Sequence, residues 1–348
     1  MKILGIETSA DDSGIALIEA QGSFGNDFKM EILAQGVSSQ TIHAGYGGIF
    51  PAMAKKEHAK NLPILFAKLF GEEPPKVDTI AVTVGPGLEP CLWTGITFAK
   101  ELAAKWSVPI VPVNHMEGHI LVSMVNNGTF LPCEFPALAL LISGGHTDLI
   151  LTKEFQLYEY LGRTRDDAVG EAFDKVARMM NLPYPGGPHI SKLAEEARVR
   201  NQESGIKLPR PMLNENNYDF SFSGLKTAVL RLVEAEKDPS DDFKRQIARA
   251  FEDAAADVLV QKTFRAAEEH GVKTILVGGG VSANAFIKKE LRARAEKEGV
   301  GLLISPLEFT GDNAVMIALA GYFRALKKGF ANPKELVANG MLRLDILS

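Results

Sequence analysis

Two stretches of the sequence repeat the same order of an apolar strand, a short polar turn and a second apolar strand. The first occupies residues 2–18 and has the turn Glu7–Gly14. The second occupies residues 136–151 and has the turn Ser143–Thr147. Because each opens about half of the chain, we predict a duplicated domain with a ligand between its halves. Such turns offer N–H and hydroxyl groups to an anion, although they are also common in simple hairpins.

The length and composition are those of an ordinary globular protein of about two domains. The chain has 348 residues, of which 46% are hydrophobic and 23% are charged. Its longest apolar run, Phe135–Ile142, is too short to span a bilayer, so we predict no membrane association. The segment Met1–Glu7 lacks the apolar region of a signal peptide, and a cytoplasmic location is expected.

The cysteines and the net charge bear on the compartment and the partners. Cys91 and Cys133 do not form a C-x-x-C pair, and two free thiols suit a reducing compartment. The formal net charge is −5, so any binding of RNA must use a local surface or a partner. One predicted helix contains Lys55, Lys56 and Lys60, which form either a solvated face or an edge that contacts phosphates.

The pair His115 and His119 indicates half of a metal site. Helical side chains four residues apart lie about 40° from each other around the axis, so both imidazoles can reach one ion. Alternatively, one histidine caps the helix and the other lies on its surface. A zincin-type protease is disfavoured, because Met116 stands where that motif needs its glutamate and Glu117 lies about 100° further round the helix.

A metal site needs at least one more ligand from elsewhere in the chain. Asp312, which precedes a predicted helix, is the best candidate, although an aspartate there is most often an N-cap. Two other strand-to-helix turns, Gly85–Gly87 and Gly278–Gly280, are typical of loops that hold a ligand near a helix N-terminus. The second is followed by Asn284, which can hydrogen-bond a nucleotide, but it does not match the Rossmann fingerprint.

The segment Asp166–Met180 has the periodicity of an amphipathic helix. Asp174 falls on its polar face and is expected to face solvent. In the turn Tyr184–Pro188 that follows, Gly187 would let a ligand approach the backbone. A long helix predicted over Asp241–His270 is interpreted as scaffold.

Ten short segments spread over nearly the whole chain match the sequence motifs of a single family. In chain order they are Gly5–Ser9, Tyr46–Gly48, Gly85–Leu88, His115–His119, Ser143–Thr147, Gly170–Lys175, Tyr184–Pro188, Phe220–Thr227, Gly278–Asn284 and Asp312–Asn313. With these segments in this order, the chain resembles the universal tRNA threonylcarbamoyladenosine transferases, the family of the TsaD, Gcp and Kae-type proteins.

The resemblance implies an α/β fold of the actin-like ATPase (ASKHA, sugar-kinase-like) type, with two ribonuclease-H-like lobes around a cleft. The N-terminal lobe is expected to span residues 1–113 and to be completed by residues 325–348. The C-terminal lobe is expected to span residues 114–324.

The resemblance also implies a set of ligands. One metal ion per chain, Fe2+ or Zn2+, would be held by His115, His119 and Asp312. The residues implied to hold the adenylate donor, threonylcarbamoyl-AMP, are Leu141, Ile142, Ser143, Gly144, Gly145, Asp174, Gly187 and Asn284.

The reaction implied by the resemblance moves the threonylcarbamoyl group to N6 of the adenosine beside the anticodon, in tRNAs that read ANN codons. The metal ion would polarise the carbamoyl carbonyl, and Asp11 or Asp12 would position or deprotonate the attacking amine. Where the family usually reads E-T-S-C-D-E, this chain has Ala10 for the cysteine and Asp12 for the last glutamate. The implied partners are tRNA, a shorter paralogous subunit (TsaB-type) and a small P-loop ATPase (TsaE-type).

Three other functions remain open. A sugar or acetate kinase of the same fold would need a catalytic aspartate and ATP but no paired-histidine metal site. A metalloendopeptidase would need a general base that Glu117 is badly placed to supply. A non-catalytic scaffold would have no need of His115, His119 and Asp312.

Overall fold

The computed structural model describes residues 1–25, 27–46, 48–71, 73–200, 205–236 and 239–346. Gly47, in the motif Tyr46–Gly48, and the last two positions of the predicted segment 325–348 lie outside the described residues. The chain forms two compact units, each of mixed α/β structure, as predicted. Unit 1 consists of Met1–Pro132 and Ser305–Ser348, and unit 2 consists of Cys133–Ile304.

Unit 1 begins with a sheet whose later strands alternate with helices. Its elements are β1 (Lys2–Glu7), β2 (Asp12–Gln21), β3 (Lys29–Ser39), a 3-10 helix (Thr41–Tyr46), α1 (Pro51–Phe70), β4 (Thr79–Gly85), α2 (Glu89–Trp106), β5 (Ile110–Asn114), α3 (His115–Ser123), β6 (Val125–Asn126) and β7 (Thr129–Phe130). The five-stranded sheet has the order β3-β2-β1-β4-β5. β1, β2 and β3 pair antiparallel, whereas β4 and β5 continue the sheet in parallel.

Unit 2 repeats this arrangement. Its elements are β8 (Ala137–Ile142), β9 (Thr147–Glu154), β10 (Leu157–Arg163), α4 (Val169–Met179), α5 (Gly186–Val199), α6 (Ser223–Ala235), α7 (Asp241–Glu269), β11 (Thr274–Gly278), a 3-10 turn (Gly280–Ala283), α8 (Ala285–Glu298) and β12 (Gly301–Ile304). The sheet order is β10-β9-β8-β11-β12, with the same pattern of antiparallel and parallel pairs. The two predicted hairpins therefore open two units of the same topology.

The chain then returns to unit 1 and ends there. This part contains a 3-10 helix (Leu307–Phe309), α9 (Ala314–Leu326) and a last 3-10 turn (Leu344–Ile346). α9 lies directly on the sheet of unit 1, because a Cβ at Gly5 of β1 would come within 2.2 Å of the Ala314 carbonyl oxygen. Likewise, a Cβ at Gly321 would come within 2.3 Å of the Ala81 Cβ in β4. Glycine at both positions allows this close packing.

The predicted domain boundaries at 113/114 and 324/325 do not coincide with the two units. The reason is the packing of α3, which lies against α9: a Cβ at Gly118 would be 2.9 Å from Met316 Cγ. Both helices therefore belong to unit 1, although the prediction assigned α3 and most of α9 to the C-terminal lobe.

Most predicted helices and strands are present, with two kinds of difference. After the turn Gly85–Gly87, the sequence from Thr94 to Lys105 predicts a helix, but the helix begins earlier, at Glu89. Pro90 occupies its first turn, where the missing N–H leaves no intrahelical bond unmade. Strands β3 and β10 were not predicted. Each lies at the edge of its sheet, where strand burial is incomplete and the apolar pattern is weak.

The longest helix, α7, has 29 residues and passes through the core of unit 2. One of its faces is rich in buried alanines, and the helix occupies the range that the sequence predicts. Two charged residues, Glu252 and Lys262, are buried among its apolar positions. Across the described residues, no helix combines the length and the apolar character needed to cross a membrane.

Candidate metal centre and ligand pocket

His115 and His119 lie one turn apart at the start of α3. The side-chain oxygen of Asn114 accepts a hydrogen bond from the Met116 N–H at 2.9 Å and caps the helix. Both histidines are buried, with 4% and 1% of their surfaces exposed, and their rings meet edge to face with centroids 4.7 Å apart. The alternative of a capping histidine and a surface histidine is therefore wrong.

Asp312 approaches the same point from the turn before α9. Its neighbour Asn313 is the N-cap, since the Asn313 side chain accepts from the Met316 N–H at 3.0 Å. The Asp312 carboxylate is thus available to the histidines. Its Oδ1 lies 3.3 Å from Nε2 of His115 and 3.2 Å from Nε2 of His119. All three potential ligand atoms lie within 4.8 Å of one another.

A second carboxylate, Glu7 at the end of β1, lies behind His115. Oε2 of Glu7 accepts a hydrogen bond from Nδ1 of His115 at 3.1 Å and another from the Thr83 hydroxyl at 2.6 Å. Its other oxygen accepts from the Ser9 N–H, and the side chain is fully buried. Because Nδ1 of His115 donates to Glu7, Nε2 is the nitrogen left to act as a ligand.

The carboxylates decide the charge of this group. Burial lowers the pKa of His115, but the Asp312 and Glu7 carboxylates outweigh burial and raise that pKa to about 10. Burial lowers the pKa of His119. Burial opposes ionisation of Asp312 and Glu7, yet the charge of His115 lowers the pKa of both acids. Two ionised carboxylates beside two imidazoles favour a positive charge here, either a proton or a metal ion.

The donor set fits Fe2+ or Zn2+. Two imidazole nitrogens and one carboxylate oxygen are usual ligands of both metals. Metal bonds of about 2.0–2.1 Å place adjacent ligands of a tetrahedral site about 3.3 Å apart. The two distances at Asp312 Oδ1, 3.2 and 3.3 Å, agree with this spacing. Three protein ligands leave a position for substrate, as in catalytic rather than structural sites.

Glu117, the acid between the two histidines, points away from them. Its buried carboxylate forms an ion pair with Arg324 of α9. A metalloprotease needs a glutamate beside the metal as general base. Because Glu117 pairs with Arg324 instead, the structure also argues against a metalloprotease.

The turn between β1 and β2 contains Asp11 and Asp12, and His58 of α1 holds it in place. His58 is fully buried; its Nε2 donates to the Ala10 carbonyl at 2.9 Å, and its Nδ1 accepts from the Ser13 hydroxyl at 2.8 Å. Both ring nitrogens are therefore used within the turn. The His58 side chain thus hydrogen-bonds the residue before Asp11 and the residue after Asp12.

Asp12 is half-buried, in the first position of β2. Burial raises the pKa of Asp12 to about 7, and the nearby carboxylates of Asp312, Asp11 and Glu7 act in the same direction. A hydrogen bond with the Ser39 side chain partly opposes them. A carboxyl group with this pKa can accept or release a proton near neutral pH.

Unit 2 contains a pocket of about 500 Å³, a volume suited to a small molecule. Four of the residues implied to hold the donor line it: Gly144, Asp174, Gly187 and Asn284. The first turns of α4, α5 and α8 also face the pocket, and helix N-termini favour negatively charged ligand groups. Apolar walls come from Phe173, Pro185, Pro188 and Val281.

The position of Asp174 differs from the sequence prediction. It was expected to face solvent, but it lines the pocket and its Oδ1 accepts from the Gly186 N–H at 2.7 Å. Burial raises the pKa of Asp174, although the backbone N–H groups of Gly186 and Gly187 oppose the shift. The carboxylate caps the first turn of α5, a contact that the periodicity of α4 alone does not reveal.

Asn284 has its amide group almost fully engaged. Its Oδ1 accepts from the Ile287 N–H at 2.9 Å and caps α8. Its Nδ2 donates to the Ser191 hydroxyl at 2.8 Å and to Oε1 of Glu252 at 2.7 Å. Glu252 is fully buried on α7 and also pairs with Arg198 at 2.6 Å. Since both amide hydrogens are used, Asn284 can act toward a ligand only as an acceptor.

The other four implied donor residues do not line this pocket. Leu141 and Ile142 are buried at the end of β8, where they belong to the sheet. The Ser143 hydroxyl accepts from the N–H groups of Gly145 and His146 and shapes the turn. These residues form the strand and turn that place Gly144 at the pocket.

Sequence reasoning missed Glu7, His58 and Glu252 as parts of these sites. Glu7 had a signal, since it is an acid at the end of an apolar strand and lies in the family segment Gly5–Ser9. His58 and Glu252 had none beyond being polar residues on predicted helices. Their partners lie 45 or 32 positions away in the chain, and only the folded structure brings them together.

Comparison with known proteins identifies related sequences. The family model for tRNA N6-adenosine threonylcarbamoyltransferase (TsaD) matches residues 31–319. The enzyme of that name from Thermosipho africanus is 42% identical over 348 residues, which cover 99% of this chain and 100% of the relative. Its counterpart from Persephonella marina is 41% identical, with 99% and 96% covered. That of Thermotoga neapolitana is 41% identical, with 97% and 98% covered.

Among solved structures, two HypF proteins have a similar fold. Full-length HypF in its phosphate- and nucleotide-bound form superposes with a TM-score of 0.58 and 12% identity over 94% of this chain and 47% of that chain. HypF of T. kodakarensis gives a TM-score of 0.55 and 15% identity, with 97% and 50% covered. This chain thus spans about half the length of either HypF chain. At these identities the likeness concerns the fold alone.

The hydrogen bond between Glu7 and His115 leads to a testable expectation. Glu7→Gln keeps the size and the acceptor oxygen but removes the charge behind the imidazole, so the affinity for Zn2+ or Fe2+ should fall by about tenfold or more. Metal content after dialysis against a graded chelator measures it. Glu31→Gln, on the exposed edge of β3, is the matched control. Equal metal retention by the Glu7→Gln variant and the native chain would contradict the role of Glu7.

Proposed function

The chain belongs to the tRNA N6-adenosine threonylcarbamoyltransferase family, and we propose that it transfers the threonylcarbamoyl group from threonylcarbamoyl-AMP to N6 of the adenosine beside the anticodon in tRNAs that read ANN codons. It is on this proposal an acyltransferase that modifies tRNA. The observation that supports it most directly is the convergence of His115, His119 and Asp312 in a chain with full-length relatives of that name.

We propose an actin-like (ASKHA) fold for the chain, with units 1 and 2 as its two ribonuclease-H-like lobes. The support is the shared strand order of the two sheets, with three antiparallel strands followed by two parallel ones. The fold of the chain is also similar to that of the two HypF structures, with TM-scores of 0.58 and 0.55.

His115, His119 and Asp312 would hold one metal ion, Fe2+ or Zn2+. When bound, the ion supplies Lewis acidity for the carbamoyl carbonyl as AMP leaves. The residues of the chain do the remaining work at this site. Glu7 holds the His115 ring through Nδ1, and both imidazoles are buried.

The adenylate part of the donor would occupy the pocket of unit 2. Three helix N-termini and exposed glycine backbone at Gly144 and Gly280 suit its phosphate and ribose, because neither glycine has a neighbour that blocks approach. The apolar walls suit the purine. Asp174 and the remaining lone pair of Asn284 would accept hydrogen bonds from the nucleoside.

Asp11 and Asp12 would act on the attacking amine. Asp12 is the better candidate base, because its carboxyl is half-buried near Asp312 and has a pKa of about 7. It is one methylene shorter than the glutamate that the family usually has. His58 restrains the position of Asp12 through its hydrogen bonds to the Ala10 carbonyl and the Ser13 hydroxyl.

The partners and location follow from the proposed reaction. The acceptor is tRNA, and we propose a shorter paralogous subunit of the TsaB type and a small P-loop ATPase of the TsaE type as protein partners. The net charge of −5 supports this, since an acidic chain has little general attraction for RNA. The proposed location is the cytoplasm, where tRNA is modified.

Nucleoside mass spectrometry tests the function. Cells depleted of their own transferase and given the native chain should regain threonylcarbamoyladenosine in tRNA, whereas His115→Ala, His119→Ala should not, because only one of the three metal ligands remains. His270→Ala, at the end of α7 and outside both sites, should behave as the native chain. Equal rescue by the double variant would sink the metal proposal. Failure of the native chain with cognate partners supplied would sink the transferase proposal.

The pH dependence tests Asp12. A general base acts in its unprotonated form, and burial raises the pKa of Asp12 to about 7, so kcat should rise with pH through about 7 and then level off. Asp12→Asn should lower kcat by about a hundredfold and abolish that rise. Asp12→Glu should retain it. An unchanged profile in the Asn variant would remove Asp12 from this role.

The pocket proposal is tested through Glu252. Glu252→Gln leaves Asn284 without its charged partner, so the Kd of AMP measured by calorimetry should rise by about tenfold. Asp253→Asn is the matched control, because Asp253 also binds Arg198, whereas the acid that accepts from the Asn284 amide is Glu252. If both variants weaken AMP equally, the effect comes from Arg198 and not from Asn284.

A further inference from the structure

Two large aromatic side chains are exposed side by side in the segment that joins β3 to α1. Tyr46 ends the 3-10 helix after β3, and Phe50 immediately precedes α1. Their side chains are 56% and 52% exposed, and their ring centroids lie 5.5 Å apart at 58°. Two exposed rings in contact offer a flat apolar surface on which a ligand can pack. We call Tyr46 and Phe50 the aromatic pair.

The segment that presents the aromatic pair is anchored from below. The fully buried His43 accepts from the Phe50 N–H through Nδ1 at 3.4 Å and donates through Nε2 to Oε1 of Gln40 at 2.9 Å. The Gln40 amide in turn donates to the Ala54 carbonyl at 3.1 Å. These hydrogen bonds hold the buried side of the segment, while its two aromatic rings remain exposed.

The same anchor connects the aromatic pair to the candidate base. The Gln40 N–H donates to the Asp11 carbonyl at 3.2 Å, and Ser39 lies opposite Asp12 in the register of β2 and β3. The 3-10 helix Thr41–Tyr46 begins directly after these residues and ends at the first ring of the aromatic pair.

Cationic side chains follow the aromatic pair directly. Lys55 and Lys56, in the first turns of α1, are exposed. Within the described part of the chain, neither is in an ion pair with a carboxylate. Aromatic rings for bases together with lysines for phosphates are the usual composition of a surface that binds single-stranded nucleic acid.

We propose that the aromatic pair stacks on unpaired anticodon-loop bases that flank the target adenosine, with Lys55 and Lys56 contacting the adjoining phosphates. This inference rests on the proposed transfer to tRNA and identifies the part of unit 1 that would bind the anticodon loop of the tRNA. RNA is the occupant favoured over a protein partner, because the exposed Lys55 and Lys56 that follow the aromatic pair give the surface a positive charge that suits phosphates. Bases in such a loop are already largely unstacked, so aromatic side chains can reach them.

Steady-state kinetics with the complete protein and its cognate partners tests the proposal. The double variant Tyr46→Leu, Phe50→Leu keeps apolar side chains but removes both ring faces. We expect its KM for tRNA to rise by about tenfold or more, while kcat at saturating tRNA and the Kd of AMP stay near native values. Tyr46→Phe, Phe50→Tyr should restore native KM, because both ring faces return. Phe330→Leu, another exposed aromatic of unit 1, is the control for surface change.

Direct binding separates RNA from the other possible occupant. An anticodon stem-loop RNA with 2-aminopurine beside the target adenine should lose fluorescence on binding the native protein and much less on binding the Leu variant. For the Lys55→Gln, Lys56→Gln variant, the dependence of affinity on salt should become shallower, by about 0.7 for each phosphate that the lysines no longer neutralise. A native KM in the Leu variant would overturn the proposal, as would a loss of activity traced to failed assembly with a protein partner. If the native chain itself does not modify tRNA, the proposed function has failed instead.

Discussion

The candidate site of unit 1 depends on one close approach, between β1 and the start of α9. A Cβ at Gly5 would lie 2.2 Å from the Ala314 carbonyl oxygen, and one at Gly14 would lie 3.1 Å from the Ala314 nitrogen. These glycines let α9 begin directly against the first hairpin. Asp312, just before α9, is thereby brought to the histidines of α3, and Glu7 follows Gly5 on the same strand. Backbone packing therefore sets the ligand geometry before any ion contributes.

Both sites place a buried acid behind the side chain that would face the ligand. Glu7 orients His115 in unit 1, and Glu252 orients Asn284 in unit 2. A buried charge is costly unless it is paired, and each acid has several donors that reduce this cost. In return, the charged acceptor fixes which nitrogen of an imidazole, or which end of an amide, points toward the ligand. Pre-orientation of this kind lowers the entropic cost of binding.

The sequence predicted what depends on local pattern and missed what depends on contacts between distant residues. The helix of His115 and both hairpins have local signals, namely periodicity and turn composition, and they are present as predicted. The periodicity of α4 placed Asp174 wrongly in solvent, because the helical face says nothing of α5, whose first turn binds it, whereas the family resemblance had implied a ligand-binding role. Glu252 looked like any scaffold acid, since its partner Asn284 is 32 positions away. The unit boundaries were missed for the same reason, because the packing of α3 on α9 leaves no trace in either segment.

An acidic chain that acts on RNA faces a physical conflict, because phosphates repel its average charge. Stacking on aromatic rings avoids the conflict, since it needs no net charge and occurs with every base. Stacking also suits a site where the target base must separate from the bases beside it. The aromatic rings then stack on those bases and offset part of the stacking energy that is lost. The chain can then limit its cations to a few positions such as Lys55 and Lys56 and leave selection among tRNAs to contacts elsewhere or to partner proteins.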